Sequence, residues 1–329
     1  MANSPVNRRE CQGIGDTDRR PPRPISCLGR VIASSALPGV DLITAGEAFE
    51  DLILADLPRL PRPGEELRTA RFLRTVGGGA VITAVAAARA GLRCHVISGL
   101  SESARRRLAR EHVHATNLLR PQEPHAVSVA LSTSAERTFV TFTGVNDRLE
   151  ARLLRMILRG KARHVHFALS PVRCSRWPPI LESLRQRGVT TSWDFGWNER
   201  LPRDREFLSL IASIDYLLMN EREATLYAGA RRLTTAVAFW KRRARVAVVK
   251  LGSRGSRWIA SGLDIQQPAP AVRVVDTTGA GDAFNGGFLA ARLGGAKPDR
   301  ALRAGNRMGA LSTRAGGGID GLPRRRERR

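Results

Sequence analysis

Val274-Val-Asp-Thr-Thr-Gly-Ala-Gly-Asp-Ala-Phe-Asn-Gly-Gly-Phe-Leu-Ala-Ala-Arg-Leu293 is the most informative stretch of this 329-residue chain. It reads as a strand running into Asp276, a turn of small residues, and a helix beginning near Gly281. Gly279, Ala280 and Gly281 leave their backbone N–H groups unobstructed at the positive end of the helix dipole, which makes an anion cradle. Asp282 falls in the first turn of the same helix, beside the place an anion would take. Transfer of a phosphoryl group needs these two things together: donors that stabilise charge on the migrating group, and a carboxylate that accepts a proton in line with it. By itself a glycine-rich turn serves equally as a tight strand–helix connection, with Asp282 answering the helix dipole. Phe284, Phe288 and Leu289 follow at helical spacing and read as core packing.

Outward from this segment, strands and helices alternate. Strands are expected at 41–45, 93–98, 162–169, 189–194, 214–219 and 245–250. Helices are expected at 79–90 (stopped by Gly91), 149–158, 180–187 (closed by Gly188) and 234–243. This succession predicts an α/β fold, a doubly wound and mostly parallel sheet with helices on both faces. Ligands of such sheets bind beyond the carboxyl ends of the strands. Two stretches break the rhythm, 61–76 and 126–144, where polar-alternating runs follow one another with no helix between. The second reads as an antiparallel hairpin turning near 134–136. Together they predict a small β-sheet lid, built from segments near 50–76 and 126–146 and suited to cover a cleft.

Residues 1–40 carry five prolines, several arginines and no sustained hydrophobic period, so they read as a flexible basic tail, with a second basic tail at 324–329 and the folded domain at 41–323. No run of eighteen apolar residues suggests a membrane span, and the start lacks the apolar region of a secretory signal, so the expected location is the cytoplasm. Cys11, Cys27, Cys94 and Cys174 are scattered and form no CxxC pair, as expected of reduced structural thiols. His164 and His166 share a strand face, but no third ligand is spaced to make a zinc site. The formal net charge of +24 raises the question of nucleic acid. Of the 54 basic residues only Lys161, Lys241, Lys250 and Lys297 are lysine, and the arginines are spread along the whole chain. With aromatics at 5% and not interleaved with the basic runs, a stacking platform is lacking, and dedicated nucleic-acid binding is disfavoured.

The segment DTTGAGDAFNGGF resembles the C-terminal signature of the PfkB, or ribokinase-like, carbohydrate kinases, and is unlike the GxxxxGK[ST] phosphate loop. The resemblance extends over roughly 41–323. It implies a ribokinase-like fold and an ATP-dependent phosphotransferase acting on a hydroxyl of a sugar or sugar derivative. Asp282 resembles the catalytic base, and Gly279, Ala280 and Gly281 the anion hole. Gly46-Glu-Ala-Phe-Glu-Asp51 resembles the opening strand, whose closing Asp51 holds sugar hydroxyls. Gly77, Gly78 and Gly79 before an alanine-rich helix resemble the N-terminal signature, with Gly77 and Gly78 on the substrate. Glu136-Arg-Thr-Phe139 resembles the lid hairpin. Asn220-Glu-Arg-Glu223 matches the NxxE motif that organises Mg²⁺ and the nucleotide phosphates through water. Lys250, Gly252 and Gly255 resemble the ATP-side turn, and Asn306 the helix walling the adenine pocket. Asp276 and Thr278, with backbone from 313–317, are the implied seat of a monovalent cation such as K⁺. The implied partners are a sugar-type small molecule and a second copy of the chain meeting through the lid.

Each landmark has an ordinary structural reading as well: Asp51 as a turn former, Gly77–Gly79 as loop punctuation, Asn220 and Glu223 as a helix cap, the 250–255 stretch as a hairpin turn. Three departures concern specificity. Where the family has an asparagine on the substrate, this chain has Ile82, which offers no hydrogen bond. The stretch after strand 93–98 is short and basic (100–107), and 193–198 departs from the usual Asp-Pro-Asn. A nucleoside kinase of the same family, or a catalytically degenerate sugar- or nucleotide-binding sensor, are the alternatives.

Overall fold

A computed structural model of the chain describes residues 39–133 and 137–324. Most of the two basic tails and the expected hairpin turn at 134–136 lie outside the described residues. Residue 40, placed above in the first tail, already belongs to the first strand.

The elements run in the order β1 (Val40–Gly46), β2 (Phe49–Leu57), β3 (Arg71–Gly77), α1 (Gly79–Arg89), β4 (Cys94–Ser98), α2 (Glu102–Arg110), β5 (His114–Asn117), β6 (Val127–Thr133) and β7 (Arg137–Phe142). They continue with α3 (Leu149–Met156), β8 (Ala162–Ala168), α4 (Pro178–Gln186), β9 (Thr190–Asp194), α5 (Phe207–Ser213), β10 (Tyr216–Asn220), α6 (Glu221–Tyr227) and α7 (Leu233–Arg243). The described chain closes with β11 (Val246–Lys250), β12 (Ser256–Ala260), β13 (Leu263–Gln267), α8 (Ala280–Leu293) and α9 (Pro298–Ser312).

Nine strands form the main sheet in the order β13-β12-β11-β10-β9-β8-β1-β4-β5. All pairs are parallel except β11–β12 and β12–β13. Strands buried on both sides read as continuous apolar runs, and β1 shows why: Leu42 packs into one core, Ile43 and Ala45 into the other. One core gathers Phe167, Trp177 and Trp193, whose rings meet at 4.6–5.1 Å. The other is built on α1, which α8 approaches closely where Gly286 meets Ala86, and it includes the mutually stacked Phe284 and Phe288. His164 and His166 sit in this interior, both hydrogen-bonded to the Ser192 hydroxyl at 2.8 Å.

A separate four-stranded sheet, β3-β2-β6-β7, takes β3, β6 and β7 from the two stretches that broke the helical rhythm and β2 from just before the first of them. β2 pairs with β6 in parallel, and the outer pairs are antiparallel. Its alternation is visible in β2, where Asp51 and Ile53 are buried while Leu52 and Leu54 are only half-buried.

One expectation fails. No strand runs into Asp276: residues 268–279 carry neither helix nor strand. The N–H groups of Val275 and Asp276 both donate to the carbonyl of Thr313 at the end of α9, at 2.7 and 3.0 Å. That pairing with a helix end replaces a ladder, and Val274 and Val275 stay exposed.

Candidate active site

β1 and β8 lie side by side where the strand order reverses direction, the topological switch point at which open α/β sheets present a crevice. Backbones converge tightly there. A Cβ on Gly79 would stand 2.8 Å from the Ala168 Cβ and 3.1 Å from Oδ1 of Asp282. The Asp282 carboxylate therefore lies near the carboxyl end of β8, against the first residue of α1.

Its helix begins as the small-residue turn predicts. Gly279 is the N-cap, with φ 69°, a left-handed conformation. A side chain there would also run into Ile82 and the backbone of Gly318, at 2.6 and 2.9 Å. The Ala280 N–H makes a long bond to the Thr277 carbonyl and the Ala283 N–H bonds Gly279. Between them, the N–H groups of Gly281 and Asp282 take no partner among the described residues, as at any uncapped helix start.

Around Asp282 the structure assembles a buried charge cluster. The Lys250 ammonium donates to Asp194 at 2.6 Å and to the Asn285 carbonyl oxygen at 3.3 Å, and Asn285 Nδ2 donates to the same Asp194 oxygen at 2.8 Å. Lys250 also lies under the helix start, 3.2 Å from where a Gly281 Cβ would be. Burial works to lower its pKa, but the charges of Asp194, Glu223 and Asp282 hold it above its ordinary value. Burial pushes Asp282 up to about 7, assisted by Asp194, Glu223 and Asp51 and opposed by Lys250. Glu223 is likewise raised to about 7, by burial first and then by Asp194. Asp194 is held low, because the Lys250 charge and hydrogen bonds outweigh its burial. Three carboxylates thus share the Lys250 ammonium, which leaves negative charge that a cation would offset. No three described His, Cys, Asp or Glu side chains are grouped closely enough to hold a metal alone. This donor set fits a divalent cation brought in on phosphates and bound largely through water, as Mg²⁺ prefers.

Asn220 and Glu223 form a reciprocal capping box at the start of α6, with the Glu223 N–H donating to Asn220 Oδ1 at 2.9 Å and the Asn220 N–H to Glu223 Oε2 at 2.8 Å. The ordinary reading of this motif therefore holds, and the cap is also what aims Glu223 at the Lys250 cluster.

Asp51 is buried on the inner face of the small sheet, pushed up to about 7 by burial and then by Asp276. Its carboxylate takes no hydrogen bond from another described residue. Gly77 is required opposite it, since a Cβ there would come within 1.9 Å of Oδ2. Gly78, at φ 95°, crosses the Glu47 carbonyl, 2.5 Å from where a Cβ would stand. Ile82 is buried and packs under the anion turn between Gly279 and Gly318, so the position contributes shape rather than a hydrogen bond.

On the other side of the α8 start lies a cleft of about 590 Å³, walled by Pro270, Val272, Phe284 and the glycine edges of the 252–255 turn. Lys250, Gly252, Gly255 and Asn306 line it. Asn306 spends both Nδ2 protons on the carbonyls of Gln267 and Pro268, at 2.9 and 3.1 Å, and so pins the wall. Lys250 reaches only its inner end, because its ammonium belongs to the acid cluster. An apolar slot that opens onto unpaired N–H groups has the form of a nucleotide site.

Asp276 and Thr278 are together, but a side chain already holds them. Arg137, the first residue of β7, places Nη2 2.6 Å from Asp276 Oδ1 and donates through Nη1 to the Thr278 hydroxyl at 2.7 Å. The remaining bonds to the Asp276 carboxylate come from the N–H groups of Thr278 (2.7 Å) and Gly317 (2.8 Å). Burial would raise Asp276, but these donors and the Arg137 charge keep it below the usual carboxylate range.

Sequence reasoning assigned no site role to Asp194, Asn285 or Arg137. Asn285 was legible as a polar residue inside the glycine-rich helix start. Asp194 and Arg137 lay in segments that depart from, or only loosely match, a motif.

The family model described as pfkB family carbohydrate kinase matches residues 41–325. The chain is 25% identical to a ribokinase from Haemophilus influenzae over 307 residues, covering 87% of this chain and 96% of the relative. It is 30% identical to a fructokinase from Klebsiella pneumoniae over 281 residues, covering 77% and 90%. The solved ribokinase of Arabidopsis thaliana, complexed with ribose and ATP, superposes with a TM-score of 0.71 at 25% identity, covering 88% and 97%. Matched across its whole described domain, the chain belongs to the pfkB family of carbohydrate kinases.

Proposed function

We propose that the protein transfers the terminal phosphoryl group of ATP to a hydroxyl of a sugar or sugar derivative, with Asp282 as general base. One observation carries this reading: the Asp282 carboxylate lies at the carboxyl end of β8, in the first turn of a helix whose starting N–H groups are unpaired among the described residues. ATP binds in the apolar cleft, its phosphates toward Gly279, Ala280 and Gly281. The sugar lies beside Asp51 and the Gly77–Gly78 turn. The substrate oxygen attacks the terminal phosphorus as its proton passes to Asp282, and the bond to the bridging oxygen of ADP breaks. The N–H groups and the Lys250 ammonium stabilise the charge that builds on the transferred group. Glu223 and Asn220 would hold Mg²⁺ by way of water, and the ion would supply neutralisation of phosphate charge. The small sheet acts as a lid that keeps water from the phosphate.

Ribokinase and fructokinase relatives support a pentose or hexose acceptor, and the buried Ile82 favours an acceptor with no polar group at that wall. The half-exposed outer face of the small sheet supports pairing with a second copy. The test is an ADP-release assay on a panel of pentoses, hexoses, keto-deoxy sugar acids and nucleosides. Sugar-dependent ADP release that falls by about four powers of ten in Asp282→Asn, with ATP affinity kept, is the expected result. Turnover confined to nucleosides would move the assignment to that class. Binding of ATP and sugar without ADP release would make the chain a sensor.

A further inference from the structure

We propose that Arg137 is a tethered cation for the anion-hole turn, taking the place of the monovalent ion expected at Asp276 and Thr278, so that turnover does not depend on K⁺. This rests on the kinase reading for its meaning, though not for all of its test.

The geometry is that of a filled site. The guanidinium puts one nitrogen on Asp276 Oδ1 and another on the Thr278 hydroxyl, with a longer contact to the Thr277 hydroxyl at 3.4 Å. Its Nε donates to Ser132 on the neighbouring strand at 3.0 Å, which fixes the side chain at its base. With Thr278 N–H and Gly317 N–H also on Asp276, both carboxylate oxygens already have donors. A second cation at these atoms would stand against a guanidinium that cannot lose its charge. Asp276 and Thr278 are part of the turn that leads into the N-cap at Gly279, so whatever fixes them fixes the direction of the free N–H groups. Arg137 is a positioning residue in this sense.

The tether also joins two parts of the fold. Arg137 belongs to the small sheet, and Gly316 and Gly317 pack against Leu73 and Thr75 of its strand β3. The carboxylate between them is therefore held from the sheet on both flanks. A diffusible ion in this place would leave the anion-hole turn independent of the lid, whereas the guanidinium makes the two move as one.

The test uses the full chain in KCl and in tetramethylammonium chloride at equal ionic strength, with two readouts. In the absence of any substrate, wild type is expected to melt at the same temperature in both salts, while Arg137→Met melts lower and gains stability specifically from K⁺ or from guanidinium ion at low concentration. In the kinase assay, wild type keeps the same rate in both salts. Arg137→Met loses roughly tenfold or more, the usual effect of removing a charge-assisted hydrogen bond, and recovers in part with K⁺ or guanidinium. Arg137→Lys, which keeps the charge but not the fork, serves the same comparison should the Met variant not fold, and is expected to fall between the two without responding to K⁺. A K⁺-specific rise in wild-type melting temperature or rate overturns the proposal, as does an Arg137→Met variant with normal rate in both salts. Failure to phosphorylate any acceptor would instead count against the kinase reading, and the melting comparison would still judge Arg137.

Discussion

Asp282 is costly to the fold in the ionised form its proposed task needs. Its folded pKa of about 7 lies well above the ordinary 3.8. Below the ordinary value both folded and unfolded chains hold the proton, and burial carries no charge penalty. As pH rises through about 7 the folded state must ionise among Asp194, Glu223 and Asp51, and that stability is lost. Asp282→Asn is therefore expected to melt above wild type near about pH 8, with the gap closing toward about pH 4; a gap that is constant with pH would show that the carboxylate is not desolvated as described. The same titration predicts that kcat/KM climbs with pH up to a plateau beginning near 7, as the base loses its proton. A flat profile across that range in wild type would remove Asp282 from the role of base.

At the scale of elements, the anion hole depends on how α8 and the C-terminal turn are held against α1. Arg89, the last residue of α1, makes a two-pronged pair with Glu111 at 2.7 and 2.9 Å and donates to the carbonyls of Ile319 and Leu322. Both side chains are nearly buried, at 9% and 14% exposure, so removing Glu111 leaves the Arg89 charge with backbone carbonyls alone. Glu111→Ala is expected to cost about 3 kcal/mol in urea unfolding, the lower end of the range for a broken buried pair. Glu111→Gln, which keeps one acceptor, should lose less. A change within experimental error for Glu111→Ala would show that this pair is solvated. The Asn220–Glu223 cap teaches a related point about elements: a helix-start motif can be an ordinary cap and, by the direction that cap imposes, still supply an acid to the site.

For the whole molecule, the small sheet has two faces of different character. Strand register places Leu52, Leu54, Phe72, Val129, Val140 and Phe142 on the face opposite Asp51, with Phe72, Val140 and Phe142 more than half exposed. An apolar sheet face of this kind is normally covered. Light scattering after size exclusion is expected to give twice the chain mass for wild type and the chain mass for Val140→Glu. A wild-type monomer at all concentrations tested would leave the face to another partner. Surface charge adds nothing specific here, because the arginines are distributed and many are paired within the chain.

What the linear chain determined alone was whatever depends on local pattern. Apolar runs alternating with helical periods specified the doubly wound sheet, two polar-alternating stretches specified three strands of the second sheet, and the crowded small residues of 276–288 marked the helix start that carries Asp282. The apparent strand into Asp276 went wrong because periodicity cannot tell a ladder from a backbone pairing with a helix end. Only the tertiary structure decided what meets across distance. It set the ammonium of Lys250, which lines the cleft, on Asp194, turned Ile82 into packing under the turn, and brought Arg137 to Asp276 from 139 positions away in the chain. Such pairings are fixed by Coulomb attraction and burial among side chains that share no period, and no local spacing encodes them.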